Sequence, residues 1–384
     1  MKIKKLSINE YLFYIGFIVF LICNFLRNTE ININTDILWF FSISMLVVTC
    51  CRNKYTKKEL IALLSLAIFF AIVAFFSKNM FIMGVPVALI AAKGIDLKKI
   101  IKVILVVNIV LTVVTIFSSI YLGVGEVSQT RVFRSDMKVI TRYYFGFVHP
   151  NQLAITVFSI VISSLVIFWE KINIKFVVIA ILIAYVTNYY TDSNTSYYIT
   201  VFMIFMAIVL RVFERKKIGI SYKVFSIGII LIVLFSIFCM VNYGKYEFID
   251  YINKALSSRI HGSYAYYKAN GFSMFGKNIF ESSVVTFDQG INNVLLRYGV
   301  VLFVFMIYCI MKSFYKINNL NRYNYKFQFV IFICLFYSFF ENIVYDMGRN
   351  IAIYIIFFIL SKDRFEKINN RSKKNEEEEK IWRK

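Results

Sequence analysis

Charge is scarce in this chain: 17% of its 384 residues are Asp, Glu, Lys or Arg, where a soluble globular protein has about a quarter. Acid is scarcer than base, with 22 Asp and Glu against 44 Lys and Arg. With 59% of residues hydrophobic, both a soluble enzyme and a disordered chain are excluded. The six cysteines (Cys23, Cys50, Cys51, Cys239, Cys309, Cys334) all fall in or at apolar runs and show no metal-ligand spacing. That excludes a secreted disulfide scaffold and leaves inert thiols. No tandem repeat and no soluble domain is visible. No small-residue cleavage site follows the first apolar run, so that run reads as a retained span rather than a signal peptide. Proline occurs only at 86 and 150, and histidine only at 149 and 261.

What the chain does have is long apolar runs. A hydrocarbon core about 30 Å thick needs roughly 20 apolar residues in a helix, and spanning segments are helices or a closed barrel. Clear runs occupy residues 11–26, 37–51, 60–76, 100–122, 152–169, 174–190, 197–213, 222–243, 291–311 and 326–340. Weaker ones occupy 80–92, which contains Pro86, and 343–360, which carries Asp346 and Arg349. None alternates strictly, which points to helices. The expectation is an all-α polytopic membrane protein of about twelve spans over residues 1–361, followed by a charged tail at 362–384.

The excess of base orients the spans. Cytoplasmic loops are enriched in Lys and Arg, and placing both termini inside puts 31 of the 44 basic residues there. Acidic residues split evenly, 11 on each side, so the net charge is about +20 inside and +2 outside. A basic balance of this size otherwise suggests nucleic acid, but here it serves to orient helices and no nucleic-acid partner is expected.

Two long loops, 123–151 and 244–290, fall on the outer face and break the pattern. Nine of the 13 outer basic residues lie there: Arg131, Arg134, Lys138, Arg142, Lys245, Lys254, Arg259, Lys268 and Lys277. Long loops do cross regardless of charge. The first four, however, are spaced 3, 4 and 4, which predicts one face of a helix. Such a stripe suits lipid headgroups or a bound phosphate, since arginine offers a planar fork of donors. His149-Pro150-Asn151 follows, with proline suited to the start of the next span. The second loop holds Arg259 and His261 beside Tyr264, Tyr266 and Tyr267, a grouping that fits either a sugar-binding surface or an interfacial aromatic belt.

Six segments carry a family resemblance. They are R-Y-Y-F-G-F-V-H-P-N-Q-L-A (142–154), T-D-S-N-T-S (191–196), S-R-I-H-G-S-Y-A-Y-Y (258–267), M-F-G (274–276), F-D-Q-G-I-N-N-V-L-L-R-Y-G (287–299) and F-F-E-N (339–342). In this order and outer placement the chain resembles the Wzy-type polysaccharide polymerases, relatives of the O-antigen ligases, over residues 130–345. It departs from the family at Asn194, where arginine is frequent, and at Asn292, where an aromatic is commoner.

The resemblance implies a glycosyltransferase that joins oligosaccharide repeat units carried on polyprenyl diphosphate, working beside a flippase and a chain-length regulator. That reaction needs a cation for the diphosphate leaving group and a base for the attacking hydroxyl. The acids of the outer loops are scattered, with no Asp-x-Asp to hold a divalent ion. Arginines are therefore expected to do the metal's work, without a cofactor. Arg142 and Arg259 lead, and Arg131, Arg134 and Lys138 assist in binding diphosphate. His261 is the first candidate base and His149 the second, since imidazole titrates near neutral pH. Asp288 and Glu341 compete for that role; Glu341 could instead pair structurally with Arg297 or Arg349. Sugar contacts fall to Tyr264, Tyr266, Tyr267, Asn151 and Asp288. A ligase of finished polymer shares these motifs, and a twelve-span flippase or transporter fits the span count. Transporters, though, tend to carry duplicated halves and broken spans.

The expected sidedness has a direct check. A fluorescent-protein fusion after Lys384 is expected to fluoresce, and alkaline phosphatase inserted within 123–151 or 244–290 to be active. The opposite pattern in either fusion would reverse the topology.

Overall fold

The computed structural model describes residues 7–132, 139–279, 287–320, 323 and 325–361. In chain order the helices are α1 (Ile8–Leu26), α2 (Thr35–Arg52), α3 (Lys57–Ser77), α4 (Gly84–Ala91), α5 (Leu97–Leu122), α6 (Pro150–Ile167), α7 (Ile174–Thr191), α8 (Asn194–Arg215) and α9 (Tyr222–Val241). They continue with α10 (Glu247–Ala255), α11 (Arg259–Asn270), α12 (Gly290–Asn293), α13 (Val300–Leu320), α14 (Lys326–Ser338) and α15 (Ala352–Leu360). Nine of them, α1–α3, α5–α9 and α13, are long and apolar enough to cross a membrane. Among the described residues the named strands are a single antiparallel hairpin, β1 (Ser128–Val132) and β2 (Val139–Tyr143). This is an all-α polytopic membrane fold. The tail expected at 362–384 lies outside the described residues.

Side chains written into the sequence start these helices. Ser7 with Glu10, and Thr56 with Glu59, each form a reciprocal capping pair. Asn34, Asp96, Asn173 and Ser221 accept first-turn amides of α2, α5, α7 and α9. Each such cap contributes about 1 kcal/mol, and in lipid it also keeps an orphan amide from going unsatisfied. α6 is the central element. It is 72% buried over its spanning window, against 17% for α2 and for α7, and it is wrapped by α5, α7, α8 and α14. Phe158 of α6 packs on Tyr337 of α14 with ring centres 4.2 Å apart.

Three expected spans take a different form. The run at 80–92 is a 3₁₀ turn (Met80–Met83) followed by the short α4. The run at 291–311 is broken: α12 leads into a π-helical turn (Val294–Tyr298), Gly299 takes φ +92°, and α13 starts afresh at Val300. Both sides of the break are apolar, so hydropathy cannot see it. The run at 343–360 is helical only from Ala352. Before that, side chains replace the helical ladder: Asp346 Oδ1 accepts the amides of Gly348 and Arg349, and Asn350 Nδ2 donates to the carbonyls of Ile343 and Val344.

Gly299 sits where two stretches of backbone touch. Val300 and Val301 donate their amides to the carbonyls of Ser273 and Met274 at 2.9 and 3.1 Å, and Lys277 donates to Arg297 at 2.9 Å. The first amides of α13 are thus capped by the loop carrying Gly276. A Cβ on Gly299 would stand 2.4 Å from the Gly276 nitrogen and 2.5 Å from the Met274 oxygen.

The loops at one end of the bundle are tied together. Phe147 bridges to Thr29, Glu30 donates its amide to the Gly146 carbonyl at 2.8 Å, and Asn79 Nδ2 reaches the Tyr298 hydroxyl at 3.0 Å. The opposite end is held separately. There Lys93 Nζ meets Glu59 at 2.8 Å, and Trp169 Nε1 donates to Glu214 at 2.6 Å.

Gly299→Ala is expected to push the 273–277 loop off α13 and to cost about 1–3 kcal/mol through its strained φ. A thermal-shift measurement on the purified protein checks this; an unchanged Tm would show that the loop does not cap the helix.

Candidate functional site

The two ends of the expected helical basic stripe are strand rather than helix. Arg131 and Arg142 lie on the two strands of the hairpin, where Gln129 pairs with Arg142 and Arg131 with Ile140. Thr130, Val132, Val139, Ile140, Thr141 and Tyr143 are β-branched or aromatic and favour a pleated strand, which outweighs the 3-4-4 spacing of the charges. Arg134 and Lys138 lie outside the described residues.

Arg142, near the end of β2, reaches across to the α7–α8 corner. Its Nε donates to the Thr191 carbonyl at 2.7 Å, and its Nη2 to the Asp192 carbonyl at 3.4 Å and Ser193 Oγ at 3.3 Å. Thr191 ends α7, so the guanidinium sits at the negative end of that helix dipole. Nη2 also donates to Asn151 Oδ1 at 2.9 Å, and Ser193 Oγ donates to the same oxygen at 3.0 Å. Asn151 stands in the first turn of α6 because Pro150 opens that helix and His149 caps it, His149 Nδ1 accepting the Asn151 amide at 3.1 Å. The histidine expected as second candidate base is therefore a helix cap.

Asn151 turns its other arm to a carboxylate: Nδ2 donates to Glu341 Oε1 at 3.2 Å. Glu341 follows α14 in the turn segment and is 4% exposed. The same oxygen receives Nη2 of Arg259, itself 7% exposed. Arg259 is the first residue of α11, and its Nη1 also reaches Thr195 Oγ1 at 3.4 Å. Asp288 Oδ2 stands 3.9 Å from Arg259 Nε. The two arginines expected to lead, 117 positions apart by number, thus meet through Asn151 and one carboxylate oxygen. Burial pushes the Glu341 carboxyl up to about 7, against the pull of the Arg259 guanidinium, with Asp288 adding to the rise.

Glu341 therefore pairs with neither of the arginines expected for it. Arg297 donates to the Ile279 carbonyl at 3.4 Å. Arg349 is satisfied locally and across the bundle: Nε to Asp346 at 2.5 Å, Nη1 to Gln152 at 2.5 Å and Nη2 to Asn28 at 3.0 Å. This staple, tying α1, α6 and the segment before α15, was not read from the sequence. Its signal is present in the sequence, since Asp346 and Arg349 are three apart in a stretch otherwise free of charge.

The remaining expected residues separate around α11. Residues three or four apart share a helix face, and residues two apart do not. Arg259, Ser263 and Tyr266 face inward and are buried; His261 is exposed, packed against Tyr243 with ring centres 5.3 Å apart. Tyr264 joins that outer group at 5.4 Å from Tyr243, while Tyr266 stacks on Phe287 at 4.7 Å and Tyr267 lies by Phe272 at 4.9 Å. The three tyrosines form no single surface, and His261 does not join the Arg259–Glu341 contact. A further polar chain runs beneath the cluster, from Ser263 Oγ to Gln289 Oε1 at 2.7 Å, with Asn292 Nδ2 on the same oxygen at 2.8 Å.

No family model, curated protein or solved structure matches this chain. The geometry of the cluster is what its chemistry has to be read from: two guanidiniums and an amide arranged around one buried carboxylate suit the recognition of an anion.

Removing one partner of a buried ion pair costs about 3–5 kcal/mol, because the other charge is left uncompensated. Arg349→Met is accordingly expected to lower Tm and yield, and adding Asp346→Asn to recover part of the loss. A double variant no better than the single one would show that the pair is not coupled.

Proposed function

We propose that this chain is a polysaccharide polymerase that joins oligosaccharide repeat units carried on polyprenyl diphosphate. In this reading it has twelve spans and cytoplasmic termini in a bacterial cell membrane, and its cluster faces outward. The observation that carries the reading is the meeting of Arg142 and Arg259, from two different loops, through Asn151 and Glu341.

The chemistry follows from that arrangement. The diphosphate of the donor is the leaving group, and the two guanidiniums stabilise the charge it gains as its bond to the anomeric carbon breaks. A hydroxyl of the incoming unit forms the new bond at that carbon and gives up its proton. With His261 turned away from the cluster, the proton acceptor in this proposal is Asp288, whose side chain is 38% exposed beside Arg259. The lipid-linked sugars, the surrounding lipid, a flippase and a chain-length regulator are the partners this reaction calls for.

Deleting the gene is expected to leave single lipid-linked repeat units in place of long chains. Full-length polymer left on its lipid carrier would instead favour a ligase, and loss of lipid-linked units from the outer leaflet a flippase. Arg142→Ala and Arg259→Ala at normal abundance are each expected to lower polymerisation about 10²–10³-fold, the usual cost of losing one charge-stabilising donor. Normal chain length from both variants would rule out this site.

A further inference from the structure

Among the described residues two arginines are more than nine-tenths buried, and they are satisfied very differently. Arg349 has an acceptor at each of its three nitrogens. Arg259 has Glu341 at Nη2 and a long contact to Thr195 at Nη1, while its Nε is buried with no acceptor in hydrogen-bonding range. A buried guanidinium with an unused donor is expensive unless something else fills that donor.

The carboxylate facing Arg259 is placed in an unusual way. A single oxygen, Glu341 Oε1, receives both the Arg259 guanidinium and the Asn151 amide, and Asn151 in turn holds Arg142. That oxygen stands where the Arg259 guanidinium and the Asn151 amide converge, the place where a bound anion would present one of its own oxygens. Carboxylate and phosphate oxygens accept from a guanidinium in the same fork geometry.

We propose that Glu341 is a placeholder for a diphosphate. It keeps Arg259, Asn151 and, through Asn151, Arg142 in receiving geometry while the site is empty, and gives them up when the anion binds. The incoming group supplies two or more oxygens where Glu341 supplies one, so it also reaches the unused Nε of Arg259. Glu341 can leave its partners because it is placed to change charge. Arg259, Asp288, Arg142 and Arg349 act on it, and burial pushes its carboxyl up to about 7, so an approaching anion favours its protonation. The identity of the anion rests on the proposed function; the displacement itself does not.

The probe is inorganic pyrophosphate, titrated into the purified full-length protein in lipid nanodiscs. Glu341→Gln keeps the shape and an acceptor for Asn151 but removes the competing charge, and is expected to bind pyrophosphate at least tenfold more tightly than the wild type. Glu341→Asp keeps the charge on a shorter arm, loosens the contact with Arg259, and is expected to fall between them. Arg259→Gln is expected to abolish binding. Binding by Glu341→Gln that is equal to the wild type, weaker or absent would overturn the proposal. So would failure of both Glu341 variants to accumulate as folded protein, because Glu341 would then be a structural staple as Asp346 is. If the pyrophosphate results hold but no polymerisation is found in cells, the reaction has been misread and the placeholder stands.

Discussion

A guanidinium enclosed among apolar helices has to be neutralised close by, and Glu341 neutralises Arg259 from 82 positions away. Several elements of the surrounding architecture converge on that contact. The carboxylate projects just past the end of α14, and in the non-helical segment that follows, Asp346 and Asn350 take over the backbone bonds. Arg259 must face inward from the first turn of α11, so α10 and α11 are joined by a tight corner with Ser257 and Ser258 at positive φ. Asn151 must reach the same oxygen, which fixes the first turn of the most buried helix. The Pro150 and His149 start of α6 thereby becomes part of the site's geometry.

The membrane class and most of the long apolar helices are legible in the sequence because hydropathy over about 20 residues measures directly what lipid demands. What it could not show was where an apolar run changes conformation. The break at Gly299 lies between two apolar stretches, and its cause is a backbone contact with Gly276, more than twenty positions earlier. The hairpin was missed for a related reason. The 3-4-4 spacing of the charges suggests a helix, but the β-branched residues among them decide the backbone.

At the site, the two leading arginines and Asn151, Asp288 and Glu341 come together, and both histidines fall away from the central contact. His149 could have been read as a helix cap from its position before Pro150. His261 could have been separated from Arg259 by helical geometry alone, since the two are two residues apart. The Arg349 staple and the carbonyls of Thr191 and Asp192 were harder to see. Backbone acceptors leave no mark on side-chain identity, and partners such as Asn28 and Arg349, 321 positions apart, meet only in the folded bundle.

That staple bears on how the protein is made. Spans enter the membrane in order as the chain is synthesised, and the closing partners of this end of the bundle, Glu341, Asp346 and Arg349, all precede only α15 among the described helices. Until they arrive, Arg259 has only the partly exposed Asp288 at 3.9 Å and lacks its buried counter-charge, and Asn28 and Gln152 lack the guanidinium that joins them. A partly inserted chain thus holds its apolar helices but not the finished Arg259–Glu341 cluster, so closure of that cluster marks the completion of assembly.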